Sequence, residues 1–209
     1  MKLITTAFAA GGPIPAEFAF GTIDPVAHVK LSANRNPDFA WSGLPAGAKS
    51  LALLCLDPDV PSTGDDVNKE GRVVKASLAR IEFCHWALVD LPPDAAPIER
   101  GEFSDGVTAR GKPGPLAPRG ARQGINDYTA WFAGDNAMAG NYFGYDGPCP
   151  PWNDELPHRY VFTLMALDVP RLDVAGVFRY PDVRSAAAGH VLSQASVTGR
   201  YALNPTVRL

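Results

Sequence analysis

The chain has 209 residues, 46% of them hydrophobic, with a formal net charge of −3, an isoelectric point near 5.8 and three cysteines. A chain of this length fits one domain, residues 1–209, that buries roughly 70% of its unfolded surface without disulfide or metal staples. The charge excludes the basic stripe that a nucleic-acid partner requires, and no segment approaches the ~20 apolar residues that span a bilayer. Contact with a membrane surface is left open, and Cys55, Cys84 and Cys149, odd in number and in or beside apolar runs, fit reduced thiols in a cytoplasm.

In chain order, "MKLITTAFAAGG" reads as a first strand from Leu3 to Phe8, because Thr5 and Thr6 interrupt an apolar run too short for a leader. Further strands are predicted at Phe39 to Trp41, Ser50 to Leu56, Phe83 to Leu91, Arg159 to Leu167 and Arg200 to Leu203. Two polar excursions lack periodicity and read as surface loops, Ser62 to Arg80 and Gly101 to Gly124. The fragment "GKPG" in the second lacks the spacing of a phosphate loop, which makes Lys112 a solvated loop charge. The one clear helical pattern is "PDVRSAAAGHVLSQASV", with Pro181 and Asp182 in its first turn and Val183, Ala187 and Val191 as an apolar stripe; His190 lies on it, outside any site. With 20 prolines and 20 glycines separating short strands, the fold class is mainly β with few helices.

Three segments set polar groups at strand ends. In "LALLCLDPDVP" both parities are apolar from Leu51 to Leu56, the mark of a strand covered on both faces, and Asp57 and Asp59 follow around Pro58. In "FCHWALVDLPP" alternation puts His85 on the face of Ala87 and Val89, opposite Trp86. In "LPHRYVFTLMAL" it puts His158 and Tyr160 on one face and Arg159 on the other, where Arg159 needs a carboxylate, either Asp57 or Asp59. The loop "YDGPCPP" before His158 is stiffened by Pro148, Pro150 and Pro151, and amides near Gly147 are expected to face a ligand. Two imidazoles, carboxylates, a phenol and a stiff loop together suit an anion.

The motifs "DPDVP", "CHWALVDLP" and "YDGPCPPWNDELPHRYVFTLMALD", supported by "GINDYTAWF" and "AGHVLSQASVTGRYAL", resemble the phosphatidylethanolamine-binding proteins, specifically their bacterial Raf kinase inhibitor-like branch. The resemblance implies a β-sandwich with a large antiparallel sheet, a smaller sheet and a few peripheral short helices. It implies a ligand pocket formed by Asp57, Asp59, Pro61, His85, Gly147, Pro150, His158 and Tyr160, with Arg159 structural. The acidic segment Trp152 to Leu156 is longer than in eukaryotic members, which puts it at the pocket's outer wall.

The leading reading is a soluble binding protein, not an enzyme, for a phospholipid headgroup, phosphorylated small molecule or phosphopeptide. It involves no cofactor, metal or catalytic residue, and the resemblance adds a kinase or protease partner to modulate. The alternatives are a hydrolase, using a metal held by His85, His158 and an aspartate or Cys149 as nucleophile, and a kinase or protease inhibitor acting through its surface. Monomer and homodimer are both compatible with the sequence.

Overall fold

A computed structural model of the chain describes residues 1–209. Its strands are β1 (Lys2–Ile4), β2 (Gly21–Asp24), β3 (His28–Leu31), β4 (Ala40–Ser42), β5 (Ser50–Pro61), β6 (Arg80–Leu91), β7 (Arg122–Gln123), β8 (His158–Leu167) and β9 (Val191–Tyr201). Two short α-helices, α1 (Tyr128–Trp131) and α2 (Tyr180–Ala187), and two 3-10 turns complete it. An antiparallel five-stranded sheet runs β7-β6-β5-β8-β9, and two-stranded sheets pair β1 with β4 and β2 with β3. The fold is mainly β, as expected.

The long central strands are apolar at both parities because both faces of the large sheet are covered. On one face Leu51, Leu53, Cys55, Trp86 and Phe162 pack against the N-terminal segment through Leu3, Phe8, Ile14 and Phe18. On the other, Ala52, Leu54, Ala87 and Val89 pack against Leu172, Phe178 and the inner stripe of α2, Val183 and Ala187. Cys55 and Cys84 are buried in these two cores and behave as small apolar side chains.

Several expected boundaries move. The first strand stops at Ile4, because Thr6 turns its backbone and hydroxyl donors to Asp38. The strand at Ser50 runs on through Asp57 and Asp59 to Pro61, with irregular pairing between Asp57 and Val60. The final helix ends at Ala187: Gly189 takes a left-handed φ of 82°, and the chain reverses into β9, so Val191 begins a strand and His190 sits in the turn, bonded to Asp168. Lys112 is no solvated charge: its Nζ lies 2.6 Å from the buried carboxylate of Asp146.

Candidate functional site

In an antiparallel sheet the C-terminal end of one strand meets the N-terminal ends of its neighbours. The end of β5 therefore lies beside the starts of β6 and β8, with Asp57 opposite Phe83 and Leu56 opposite Val161. This brings Asp57, His85, His158 and Tyr160 to the floor of one cavity of about 370 Å³, whose walls include Pro61 and Pro150. Asp59 and Gly147 do not line it.

His85 reaches the cavity through a bulge. Cys55 pairs with Trp86 and the next residue, Leu56, with Cys84, so His85 is the extra residue and leaves the alternation that would have put it with Ala87 and Val89. Its Nδ1 lies 2.7 Å from the Asp146 carbonyl oxygen, which can only accept, so Nδ1 carries the proton and Nε2 is a lone-pair acceptor. Burial lowers the pKa of this imidazole, outweighing the nearby carboxylates Asp57, Asp127 and Asp146. His85 is thus held neutral in one tautomer.

The holder, Asp146, is fully buried. Asn34 and Lys112 bond its Oδ1 at 2.8 and 2.6 Å, and Asn126 bonds its Oδ2 at 2.8 Å. Asn34, Lys112 and Asn126 come from three separate loops. Sequence reasoning missed this group; the only signal was a carboxylate in an apolar context, "FGYDGP", which needs partners wherever it is buried.

His158 is different. Its Nδ1 lies 2.7 Å from Asp57 Oδ2 and its Nε2 3.2 Å from Asp154 Oδ2, so both ring nitrogens face carboxylates and both carry protons. Burial alone would favour the neutral ring, but the hydrogen bonds to Asp154 and Asp57 outweigh it and raise the pKa to about 9. Asp154 is in turn gripped by Arg80 through Nη1 at 2.6 Å and Nη2 at 3.0 Å. Burial raises the Asp154 carboxyl, and these bonds outweigh it to leave its pKa lowered. Asp57, His158, Asp154 and Arg80 form an alternating chain of charges that sums to zero. His158 has no free N–H for a ligand.

Arg159 finds Asp59, not Asp57: its backbone N, Nε and Nη2 donate to the Asp59 carboxylate at 2.9, 2.8 and 2.8 Å. Asp59 also donates its backbone N–H to Asp57 Oδ1 at 2.8 Å, fixing the carboxylate that holds His158. Gly147 acts from behind the site. Its N–H donates to Asn34 Oδ1 at 2.8 Å, its carbonyl accepts from the Tyr128 hydroxyl at 2.8 Å, and a Cβ there would strike the Phe18 carbonyl.

The expected wall of amides reduces to one. Pro148, Pro150 and Pro151 have no N–H and the Gly147 amide is taken, so the N–H of Cys149, a lining residue, is the one backbone donor between Gly147 and Pro151 left without a protein acceptor. A second unpartnered donor is the Tyr160 hydroxyl, which is buried and lacks any hydrogen-bond partner, while the Ser62 and Thr63 hydroxyls and the Asn68 amide add polar groups to the lining. Its ring meets His85 edge to face at 5.1 Å.

The segment Trp152 to Leu156 anchors the cavity's outer wall without lining it. Asn153 accepts from the Asn68 N–H at 3.0 Å and donates to the Asp66 and Arg72 carbonyls, tying down the excursion that contributes Ser62, Gly64 and Val67 to the cavity. Trp152 stacks on His28 at 3.9 Å.

Fold and site together define a β-sandwich ligand-binding protein with an enclosed polar floor. Residues 4–202 match the family described as Phosphatidylethanolamine-binding protein, and the chain belongs to that family. It is 34% identical to a UPF0098 protein of Methanothermobacter thermautotrophicus over 96% of this chain and 98% of the other. It is 30% identical to the UPF0098 protein YbhB of Escherichia coli over 96% and 99%. Among solved structures, the phosphatidylethanolamine-binding protein homologue CT736 from Chlamydia trachomatis superposes with a TM-score of 0.64 at 26% identity, covering 96% of this chain and 95% of that one. Escherichia coli YbcL shares the fold, with a TM-score of 0.67 at 22% identity over 96% and 97%. No helix is long and apolar enough to cross a membrane.

Proposed function

We propose that this protein is a binding protein whose cavity captures a small phosphate-bearing ligand. The observation that carries the reading is the Tyr160 hydroxyl: a buried, unpartnered O–H beside His85 costs about 1–3 kcal/mol unless something enters to bond it. Tyr160 Oη and the Cys149 N–H are unpartnered donors for phosphate oxygens, and His85 Nε2 either accepts from a P–OH or, once it gains a proton, becomes a third donor. Asp57 retains acceptor capacity on both oxygens for a P–OH or an ammonium group.

Hydrolase chemistry finds less support. Burial pushes the Cys149 thiol up to about 12, far from a thiolate at neutral pH. Both nitrogens of His158 carry protons shared with carboxylates, so neither has a lone pair for a metal.

Calorimetric titration with inorganic phosphate and with phosphoethanolamine tests the proposal. Wild type should bind at least one of them, with affinity falling at least about tenfold in Tyr160→Phe, the loss of one buried hydrogen bond. The folded stability of that variant should be equal or higher by up to about 1 kcal/mol, because an orphan hydroxyl is removed. Equal affinity in wild type and Tyr160→Phe would overturn the site assignment.

A further inference from the structure

The outer edge of β9 is covered over only part of its length. Its far end is closed by the N-terminal segment: the Thr198 carbonyl accepts from the Gly11 N–H at 2.7 Å, and Arg200 donates to the Gly12 carbonyl and accepts from the Ile14 N–H, each at 2.8 Å. Thr198 and Arg200 therefore turn their backbone groups away from β8. The register with β8 is unbroken from Tyr201 back to Ser193, so the same period of two turns the N–H and C=O of Ser196 and Gln194 outward as well. β9 ends the sheet, and no segment of the chain meets those groups on that side.

An open edge is ordinarily protected by a lysine, a proline or an inward-pointing charge. Residues 193–197 read SQASV and have none of these. Before them the pairing with β8 slips at Leu192, a bulge that bends the start of the strand, where Val191 and Leu192 are 40% and 44% exposed. Between that bulge and Thr198 the donors and acceptors alternate in an order that an antiparallel copy of the same strand matches.

We propose that this edge is the interface of a two-fold symmetric dimer, in which β9 pairs antiparallel with β9 of a second copy and the two large sheets become one. The dyad passes beside Ala195, the middle of the free stretch. Gln194 then faces Ser196 of the other copy on both sides of the dyad, and each such pair exchanges both N–H···O=C bonds. The two Ala195 side chains meet at the closer, non-hydrogen-bonded spacing, where their small size lets the strands approach. In this register Leu192 of one copy lies opposite Thr198 of the other. Pairing therefore stops at both ends where the bulge begins and where Gly11 already holds the Thr198 carbonyl. A second copy suits the edge better than an unrelated peptide because the stretch complements its own reverse: polar Gln194 meets polar Ser196, and no charge meets a like charge. No residue of β9 lines the cavity, so the pairing leaves that lining untouched and stands apart from any ligand. With few bonds and little apolar area, the contact is smaller than a standard interface, and the dimer belongs in the range of ~10–100 µM.

Sedimentation equilibrium of the full chain from about 1 to about 300 µM tests this. Wild type should move from the 22.3 kDa monomer towards twice that mass as concentration rises. Gln194→Pro removes an outward N–H that the chain itself does not use, a change that an edge strand tolerates. Its monomer should keep the wild-type far-ultraviolet circular dichroism, and its association should weaken about tenfold or more. Ala195→Cys tests the register: under oxidising conditions it should give a disulfide-linked dimer, because the dyad brings the two thiols within bonding reach, whereas wild type, whose cysteines lie off β9, should not. A monomer at every concentration, a dimer that Gln194→Pro leaves as strong, or an Ala195→Cys chain with no more covalent dimer than wild type each overturns the proposal. If Gln194→Pro does not fold, sedimentation of wild type and the Ala195→Cys cross-link decide it.

Discussion

His158 gives the fold a pH dependence of defined sign. The folded pKa is raised from 6.5 to about 9, so the imidazolium is the form that the native state stabilises. Its contribution is complete below about pH 6.5 and disappears as pH rises through about 9. At 1.36 kcal/mol per unit the shift corresponds to about 3 kcal/mol, a large share of a typical domain's ~5–15 kcal/mol. The ring is almost wholly buried between Asp57 and Asp154, so little of this is screened by solvent. The perturbation is His158→Gln, and the assay is denaturant unfolding at steps between pH 6 and 10 for both proteins. The stability gap between wild type and variant should be widest near pH 6 and shrink by about 3 kcal/mol by pH 10. Taking the gap removes the contribution of Cys84 and Cys149, whose thiols burial pushes well up, Cys149 to about 12, and which destabilise both proteins at alkaline pH alike. In Asp154→Asn the ring keeps one carboxylate, so its titration, followed by imidazole nitrogen chemical shifts, should move to lower pH. A gap that stays constant from pH 6 to 10, or a neutral His158 ring at pH 7, would refute the charge chain.

Two further outcomes follow from the same geometry. Gly147→Ala should destabilise the protein by about 1–3 kcal/mol, seen as a lower unfolding midpoint, because the new methyl group presses on the Phe18 carbonyl and the Tyr145 hydroxyl; an unchanged midpoint would mean the loop is not held as described. Binding of phosphoethanolamine should take up about one proton above pH 7 and weaken as pH rises from 6 to 8, because its phosphate is then a dianion without a P–OH and burial keeps His85 neutral, so Nε2 must gain a proton to donate; calorimetry in buffers of different ionisation heat counts that proton, and a count of zero would leave His85 out of the binding step.

How much of this was legible in the sequence depended on whether a residue's setting is local. The apolar run Leu51 to Leu56 announced a strand covered on both faces, and the two cores on either side of it are that prediction made physical. The polar residues after it, and those before Tyr160, pointed to strand ends, which an antiparallel sheet gathers without further instruction. What failed was whatever needed a partner distant in the chain. Alternation cannot foresee the bulge at His85, since the extra residue is defined only against β5. It could not choose between Asp57 and Asp59 for Arg159, about 100 residues away in the chain. Lys112 seemed solvated because Asp146, its partner, is 34 residues on. The segment Val191 to Val197 carries small and apolar residues at helical spacing and becomes β9 because Gly189 ends the helix and β8 offers an open edge.

The two histidines that seemed equivalent in sequence divide the work of the site. His158 spends both protons on Asp57 and Asp154, and so converts two buried carboxylates and Arg80 into a rigid, neutral frame. His85 spends its proton on a backbone carbonyl and turns a bare lone pair to the cavity. A cavity built this way attracts no anion at long range, since its one lining cation, His158, is matched by the lining carboxylate Asp57. In the proposed binding, selection therefore happens at contact, through the unpartnered Tyr160 hydroxyl, the His85 lone pair, the polar side chains of Ser62, Thr63 and Asn68, and the aromatic lining. Such a site discriminates by hydrogen-bond pattern and by shape, because a ligand that leaves Tyr160 unbonded or sets polar groups against Phe132 gains nothing for the water it displaces.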